Sequence, residues 1–149
     1  MDKLTLMIGG VAIAGAVAIV YNLNQQPAGH SMTTPDTSTL ASGDPIQNVN
    51  LPDQLSEFAA VGKVAFDAKC SACHGGNATG LVGLAPPLVH KIYEPSHHSD
   101  EAFYVAVQNG VRAHHWKFGN MPPVDGLTRA DVKGIVAYIR ELQQENGIF

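Results

Sequence analysis

The sequence predicts an all-α chain in which a helical domain follows an apolar N-terminal segment and a linker. Apolar residues recur at helical spacing in three stretches after residue 53, and no stretch alternates apolar and polar residues as a half-buried strand does. An uncharged apolar run and a proline-rich segment precede these stretches. We therefore divide the chain into an N-terminal transmembrane anchor (1–21), a flexible linker (22–52) and a helical domain (53–149).

The anchor is predicted from the run LTLMIGGVAIAGAVAIVY between Leu4 and Tyr21. Its 18 residues, among which only Thr5 is clearly polar, lie at the lower end of the length that spans a bilayer core as a helix. A cleaved secretory signal is the alternative, although the run exceeds a typical signal core and no clean small-x-small cleavage site follows it. Lys3 precedes the run and the next basic residue is Lys63, so the positive-inside rule places the amino terminus in the cytoplasm and the remainder outside.

The linker is predicted from composition. Prolines interrupt any helix there, at Pro27, Pro35, Pro45 and Pro52, and Ser, Thr, Asn, Gln and Gly fill the intervals. Such a segment buries too little apolar surface to offset the entropy of ordering it. We expect a spacer that carries no site of its own and gives way to the folded domain near Asp53.

Three helices are expected in the domain. The first runs from about residue 53 to Cys70, and the second follows Ser99 as its N-cap and ends near Gly110. The third opens at Thr128, where Asp131 at the third helical position completes a capping box.

Each predicted helix has an apolar stripe. In the first helix the stripe comprises Phe58, Val61, Val64, Ala65 and Phe66. In the second it comprises Phe103, Val107 and Val111. In the third it comprises Val132, Ile135, Tyr138, Ile139 and Leu142. Three such helices suffice for one small core, which would be marginal without a cofactor at its centre.

The cysteines carry the clearest chemical signal. Cys70 and Cys73 are the only two, lie three positions apart and are followed at once by His74. One short bridge would constrain almost nothing, which excludes a disulfide framework. A thioredoxin-like pair needs a βαβ context, and a structural zinc site needs a matching second pair of ligands, neither of which the sequence offers. Thiols at this spacing suit the two vinyl groups on one edge of a porphyrin, with the adjacent imidazole directed at the iron. Cys-x-x-Cys-His therefore predicts one covalently attached haem c, with His74 as an iron ligand.

The second axial ligand is predicted at Met121, in the segment Gly119-Asn120-Met121-Pro122-Pro123. This methionine lies 47 residues after His74 and is the only one after residue 53. A lone methionine more often fills a core, but this one stands in a polar loop bounded by prolines. His114 and His115 compete for the position, whereas His/Met is a common cytochrome pairing.

From about Asp53 to Asn146 the chain resembles the class I (mono-haem) cytochromes c. With its anchor and linker it resembles the membrane-bound bacterial forms such as cytochrome cy. The specific motifs are Cys-x-x-Cys-His and Met121-Pro122. The resemblance implies a class I cytochrome c fold of three to five helices around one haem.

The resemblance also implies roles for residues outside these motifs. Gly62 and Phe66 match the glycine and aromatic residue by which the family's first helix packs against the last, where Tyr138 is the matching aromatic. The segment Ala85-Pro86-Pro87-Leu88 resembles a Gly-Pro-x-Leu segment whose proline carbonyl accepts a hydrogen bond from the proximal histidine, which assigns Pro86 to His74. This sequence has Ala85 at the position where the family usually has glycine.

Several further residues have two open interpretations. Trp116 either donates its indole N–H to a haem propionate or packs over the haem edge. Arg112 and Lys117 are candidates for the propionates, although a solvated basic residue is the ordinary alternative. The tandem pairs His97-His98 and His114-His115 are candidates for copper, and exposed histidines without a function are the alternative.

The expected function is electron transfer. The formal net charge of −4 and near-average apolar content give no indication of a nucleic-acid partner. An iron with both axial positions filled has no open site, which predicts a carrier and not an enzyme. The resemblance implies a bacterial inner-membrane protein with its haem domain on the periplasmic side, linking a quinol-oxidising cytochrome bc1 complex to a terminal oxidase or reaction centre. A dedicated haem subunit of a larger oxidoreductase is one alternative, and a peroxidatic or ligand-binding haem protein is another.

Overall fold

The computed structural model describes Gly15 and residues 33–149. In this part of the chain the helices are Glu57–Lys69 (α1), Ser71–His74 (α2), Asp100–Asn109 (α3) and Arg129–Glu145 (α4), with 3-10 turns at Gly76–Ala78 and Lys91–Tyr93. Strand-like pairing occurs there only as isolated bridges. The predicted all-α class is confirmed.

The predicted anchor, residues 1–21, lies outside the described residues apart from Gly15, and so does the predicted linker as far as residue 32. Among the residues that are described, none of the helices combines the length and the apolar character that crossing a membrane requires.

The first helix begins later than predicted, because Ser56 is its N-cap. The Ser56 hydroxyl oxygen accepts a hydrogen bond from the Ala59 amide at 3.2 Å. The Ser56 amide and hydroxyl in turn donate to the two carboxylate oxygens of Glu141, at 3.0 and 2.6 Å. This end of α1 is therefore attached to α4, a contact that helical periodicity does not reveal.

The other two long helices begin where predicted, but α3 ends at Asn109, so Val111 of its predicted stripe lies beyond the helix. Thr128 and Asp131 form the capping box of α4, each side chain accepting from the backbone N–H of the other. Ser99 precedes α3 but makes no side-chain cap, and Gly110 ends that helix with a φ of 73°.

The two longest helices, α1 and α4, cross with their backbones in contact. A Cβ atom placed on Gly62 would lie 1.9 Å from the carbonyl oxygen of Gly134. One turn further along, the rings of Phe66 and Tyr138 meet edge-on with their centroids 5.5 Å apart. The pairing of Gly62 and Phe66 with the last helix is confirmed.

The predicted apolar stripe of α1 is wrong for three of its members. Phe58, Val61 and Val64 are exposed by 46%, 68% and 70%. The buried residues of α1 are instead Ala59, Gly62 and Phe66. Because the helices touch at a glycine, the face with the small residues turns inward and the valines face solvent.

The core is built on α4. All five residues of its predicted stripe are buried, namely Val132, Ile135, Tyr138, Ile139 and Leu142. Helix α3 packs on α4 through Tyr104, which forms a buried cluster with Val132 and Val136 of α4. Gln143 is also buried, and its amide donates to the carbonyls of Leu88 and Tyr93 at 2.8 and 3.0 Å.

The folded unit begins before the predicted boundary. The amides of Gly43 and Ile46 donate to carbonyls of the loop 79–82, at 2.9 and 3.2 Å. Asn50 exchanges two hydrogen bonds with the Asn146 side chain, both 2.9 Å long. The prediction of a flexible linker is therefore wrong for this stretch, because its backbone groups find partners on the domain that composition cannot reveal.

Candidate functional site

The centre of the helical domain contains a cavity of about 820 Å³. Apolar side chains from α1, α3 and α4 line it, among them Phe66, Phe103, Val107, Ile135 and Ile139. Its size and lining are those of a pocket for a small molecule or cofactor. A large apolar group in this position would complete the core between the helices.

The two cysteines and His74 are placed at the cavity by the sharp junction between α1 and α2. Cys70 ends α1, and its amide donates to the Phe66 carbonyl at 2.8 Å. The chain turns at once into α2, where the His74 amide donates to the Cys70 carbonyl at 2.9 Å. All three side chains of the motif thereby line the same cavity.

Cys70 and Cys73 are not joined by a disulfide. Burial, and secondarily the neighbouring Cys73, raises the pKa of Cys70 to about 11. A reactive redox dithiol requires the opposite, a lowered pKa. The site therefore does not have the properties of a thioredoxin-like pair.

His74 is held as a neutral imidazole. Burial lowers its pKa, and the hydrogen bond to Pro86 opposes this effect only in part. Its Nδ1 lies 2.9 Å from the Pro86 carbonyl oxygen. Because a carbonyl can only accept, Nδ1 carries the proton and Nε2 keeps its lone pair. The hydrogen bond assigned to Pro86 is present, and the free lone pair is what binding to a metal requires.

The segment that carries Pro86 depends on a glycine that sequence reasoning missed. Gly80 has a φ of 69°, and a Cβ atom there would lie 2.3 Å from the nitrogen of Pro87. Its amide donates to the His74 carbonyl at 2.7 Å. Ala85, where the family usually has glycine, is accommodated in a bridge with Leu81.

Met121 lies on the cavity lining and is held there by the backbone. Its N–H and C=O exchange two hydrogen bonds with Val111, both 2.9 Å long. Gly110, with its positive φ, allows this approach, since a Cβ atom there would lie 2.4 Å from the Met121 carbonyl oxygen. The sequence indicated Gly110 only as a helix end, and its contact with Met121 emerges in the structure.

Trp116 also lines the cavity, and its indole nitrogen Nε1 is buried without a hydrogen-bond partner. The ring stacks on Phe118 with centroids 5.7 Å apart and meets His90 edge-on at 5.5 Å. A buried donor without an acceptor is costly. No hydrogen bond of ordinary geometry satisfies the indole, although the Tyr93 side chain lies close enough to interact with it.

Comparison with known proteins identifies the family. Residues 59–143 match the family model described as "Cytochrome c". The chain belongs to the cytochrome c family. It is 36% identical over 85 residues to cytochrome c-555 of Chlorobaculum thiosulfatiphilum, an alignment that covers 54% of this chain and 92% of that protein. No solved structure matches the chain.

A member of this family binds haem c covalently, here through Cys70 and Cys73. Three features of this cytochrome fit the group independently of the family match. The cavity is apolar, the Nε2 lone pair of His74 is free, and the buried N–H of Trp116 makes no hydrogen bond of ordinary geometry to the protein. The family match and the similarity to a cytochrome c-555 support an electron-transfer haem protein, and these features fit the haem.

The remaining candidates fall into two groups. Arg112 is exposed and lines the mouth of the haem cavity, whereas Lys117 is exposed and does not line it. The two histidine pairs, 97–98 and 114–115, are brought together at this mouth.

Proposed function

We propose that His74 and Met121 are the two axial ligands of the haem iron in this cytochrome. The observation that carries the proposal is that both side chains line one apolar cavity on segments held by backbone hydrogen bonds. Met121 is the only methionine among residues 33–149, the continuous part that the structure describes. Haem c, when bound, supplies an iron that accepts and releases one electron.

The protein's own residues tune that exchange. Pro86 fixes the tautomer and orientation of His74, which determines how strongly Nε2 donates to a metal. A thioether ligand favours the ferrous state and raises the reduction potential, and the apolar lining acts in the same direction by disfavouring additional positive charge. If His74 and Met121 both hold the iron, no coordination position would be open to a substrate. The chain therefore carries electrons and is not an enzyme.

Replacement of Met121 by Ala tests the ligand assignment. The purified variant should lose the red absorption band typical of methionine-ligated ferric cytochromes c, bind CO when reduced, and have a lower reduction potential. Met32→Ala is the matched control and should leave all three properties unchanged. A Met121→Ala protein that retains the band and the potential would show that another side chain ligates the iron.

We also propose that residues 4–21 anchor the chain in the bacterial inner membrane, with the haem domain on the periplasmic side. The support is the uncharged run of 18 residues, preceded by Lys3 and followed by no basic residue before Lys63. Carbonate extraction of membranes tests the anchor. The full chain should stay in the pellet, and a variant with a cleavable signal in place of residues 1–21 should be released. If expression of the full sequence yielded a soluble protein that had lost its N-terminal segment, that result would contradict the anchor.

The partners we propose are a quinol-oxidising cytochrome bc1 complex as donor and a terminal oxidase or reaction centre as acceptor. Leu84 and Val105 support docking at the haem edge, because both line the cavity mouth and are exposed by 52% and 48%. An exposed apolar rim of this kind suits brief contacts with more than one protein.

The role of the linker is tested by deleting residues 23–34, which leaves the stretch that packs on the domain intact. Electron transfer between membrane-embedded partners should slow, because a shorter tether reduces the reach of the haem domain. A Gly/Ser replacement of equal length is the control and should preserve the rate. Unchanged rates after the deletion, together with stoichiometric co-purification with one oxidoreductase, would favour a dedicated haem subunit instead.

A further inference from the structure

A cluster of histidines lies at the mouth of the haem cavity. His97 and His98 precede α3, and His115 lies in the segment between α3 and α4. Ring nitrogens of these three residues all lie within 4.8 Å of one another. We propose that His97, His98 and His115 form a second metal site, which binds one Zn²⁺ or Cu²⁺ ion through three imidazole nitrogens.

The distance between two of the ligand atoms already suits a bound metal. Nε2 of His97 lies 3.3 Å from Nε2 of His115. Two nitrogens bound to one tetrahedral zinc at about 2.0–2.1 Å are separated by roughly 3.3–3.4 Å. The third nitrogen, on His98, lies within 4.8 Å of the other two, so a shift of the His97 and His115 side chains toward His98 would close the site.

The tautomer of His98 is suited to metal binding. Its Nδ1 is hydrogen-bonded to the Ile92 carbonyl oxygen, so Nδ1 carries the proton and Nε2 has the free lone pair. A metal-ligating histidine usually donates its other ring N–H to a carbonyl or carboxylate in this way. Ile92 is fully buried, so the acceptor that orients this ring is itself fixed in the core.

The electrostatic environment favours neutral imidazoles. Burial, and secondarily the neighbouring histidines, lowers the pKa of His98 and of His115. Arg140 is the nearby cation, and its charge is offset by an ion pair with Asp100 at 2.9 Å. Imidazole nitrogen is a ligand that both zinc and copper accept.

The neighbouring His114 is the natural control. Its ring lies beside that of His115, with centroids 4.4 Å apart. It does not, however, belong to the set of three close ligand atoms. His114→Ala should therefore remove an adjacent imidazole without removing a ligand.

The consequence of binding would be a cross-link between two segments of the cavity wall. His97 and His98 lie in the loop that precedes α3. His115 precedes Trp116 in the segment that leads to Met121. One ion bound to all three would join these segments across the mouth. This inference is independent of which residues ligate the haem iron.

The experiment is calorimetric titration of the haem-loaded full chain, free of any affinity tag, with ZnCl₂ and separately with CuCl₂. One ion should bind per chain. His97→Ala and His115→Ala should each weaken binding by about tenfold or more, whereas His114→Ala should change it by no more than about twofold. Zn²⁺ should also raise the melting temperature of the wild type more than that of His97→Ala.

Two results would overturn the proposal. One is the absence of saturable 1:1 binding, and the other is equal affinity in the wild type and His97→Ala, which would locate the ion elsewhere. A loss in His114→Ala as large as that in His97→Ala would refute the assigned set of three ligands. His97 is exposed, so the His97→Ala variant should fold normally. If His115→Ala lowers stability in the absence of metal, the metal affinity of His97→Ala alone tests the proposed site.

Discussion

Replacement of Gly62 by Ala perturbs the crossing of α1 and α4 with a single methyl group. The added Cβ would lie 1.9 Å from the Gly134 carbonyl oxygen and 2.8 Å from the Ile135 nitrogen. Ordinary contact begins at 3.4 Å, so the two helices must separate by about 1.5 Å. The obstacle is main chain, and no rotamer change can relieve it.

The expected magnitude follows from two opposing effects. Alanine in place of glycine within a helix contributes about 1 kcal/mol of stabilisation through helix propensity. Overpacking usually costs about 1–3 kcal/mol, and more where neither neighbour can move. Separation of the helices would also weaken the edge-on contact of Phe66 with Tyr138. We therefore expect a net loss of about 3 kcal/mol in the free energy of unfolding.

Thermal and urea denaturation of the haem-loaded protein, followed by circular dichroism, measure this loss. For a domain of this size it corresponds to a fall of roughly 10–25 °C in melting temperature. Gly76→Ala is the matched control, because no atom lies within 4 Å of its added Cβ. The control should change stability by less than about 1 kcal/mol. A Gly62→Ala protein as stable as the wild type, or more stable, would refute the close crossing.

Three further predictions concern the haem site and its surroundings. Gly110→Ala should weaken the methionine band in the absorption spectrum of the ferric protein, because the added Cβ displaces the backbone of Met121. Lowering the pH from 7 to 5 in EDTA should reduce the free energy of unfolding measured in urea. Burial lowers the pKa of His90 and His98 below 6.5, so below that pH the unfolded chain binds more protons than the folded one. In the His98→Gln variant, the free energy of unfolding should change less between pH 7 and pH 5. Leu84→Glu should slow reduction by a purified bc1 complex without altering the absorption spectrum, and an unchanged rate would exclude this rim from docking.

The features that could be predicted from the sequence depend on residues within one or two helical turns. The capping box of Thr128 and Asp131 and the apolar stripe of α4 are local patterns, and both are present in the structure. The attachment motif is equally local, since Cys70, Cys73 and His74 occupy a single turn. Local patterns of this kind are recognisable because the backbone geometry that joins their members is already fixed.

The features that could not be predicted depend on contacts between distant segments. Three residues of the apolar stripe expected on α1 are exposed, because periodicity indicates that an apolar face exists but not where another helix meets it. The stretch 43–50 was predicted as linker, because its partners lie at the loop 79–82 and at Asn146, 96 residues beyond Asn50.

Within the candidate site, too, local sequence patterns indicate the residue types and contacts between distant segments determine their environment. Residue types and spacing alone indicated the two thiols as the haem attachment and predicted the imidazole and the methionine as ligands of the iron. Packing determined that His74 keeps its Nε2 lone pair, that Gly110 permits the approach of Met121, and that the Trp116 N–H makes no hydrogen bond of ordinary geometry. The physical reason is that tautomers, close backbone approaches and unpaired donors are properties of a residue's surroundings, which exist only once the chain has folded.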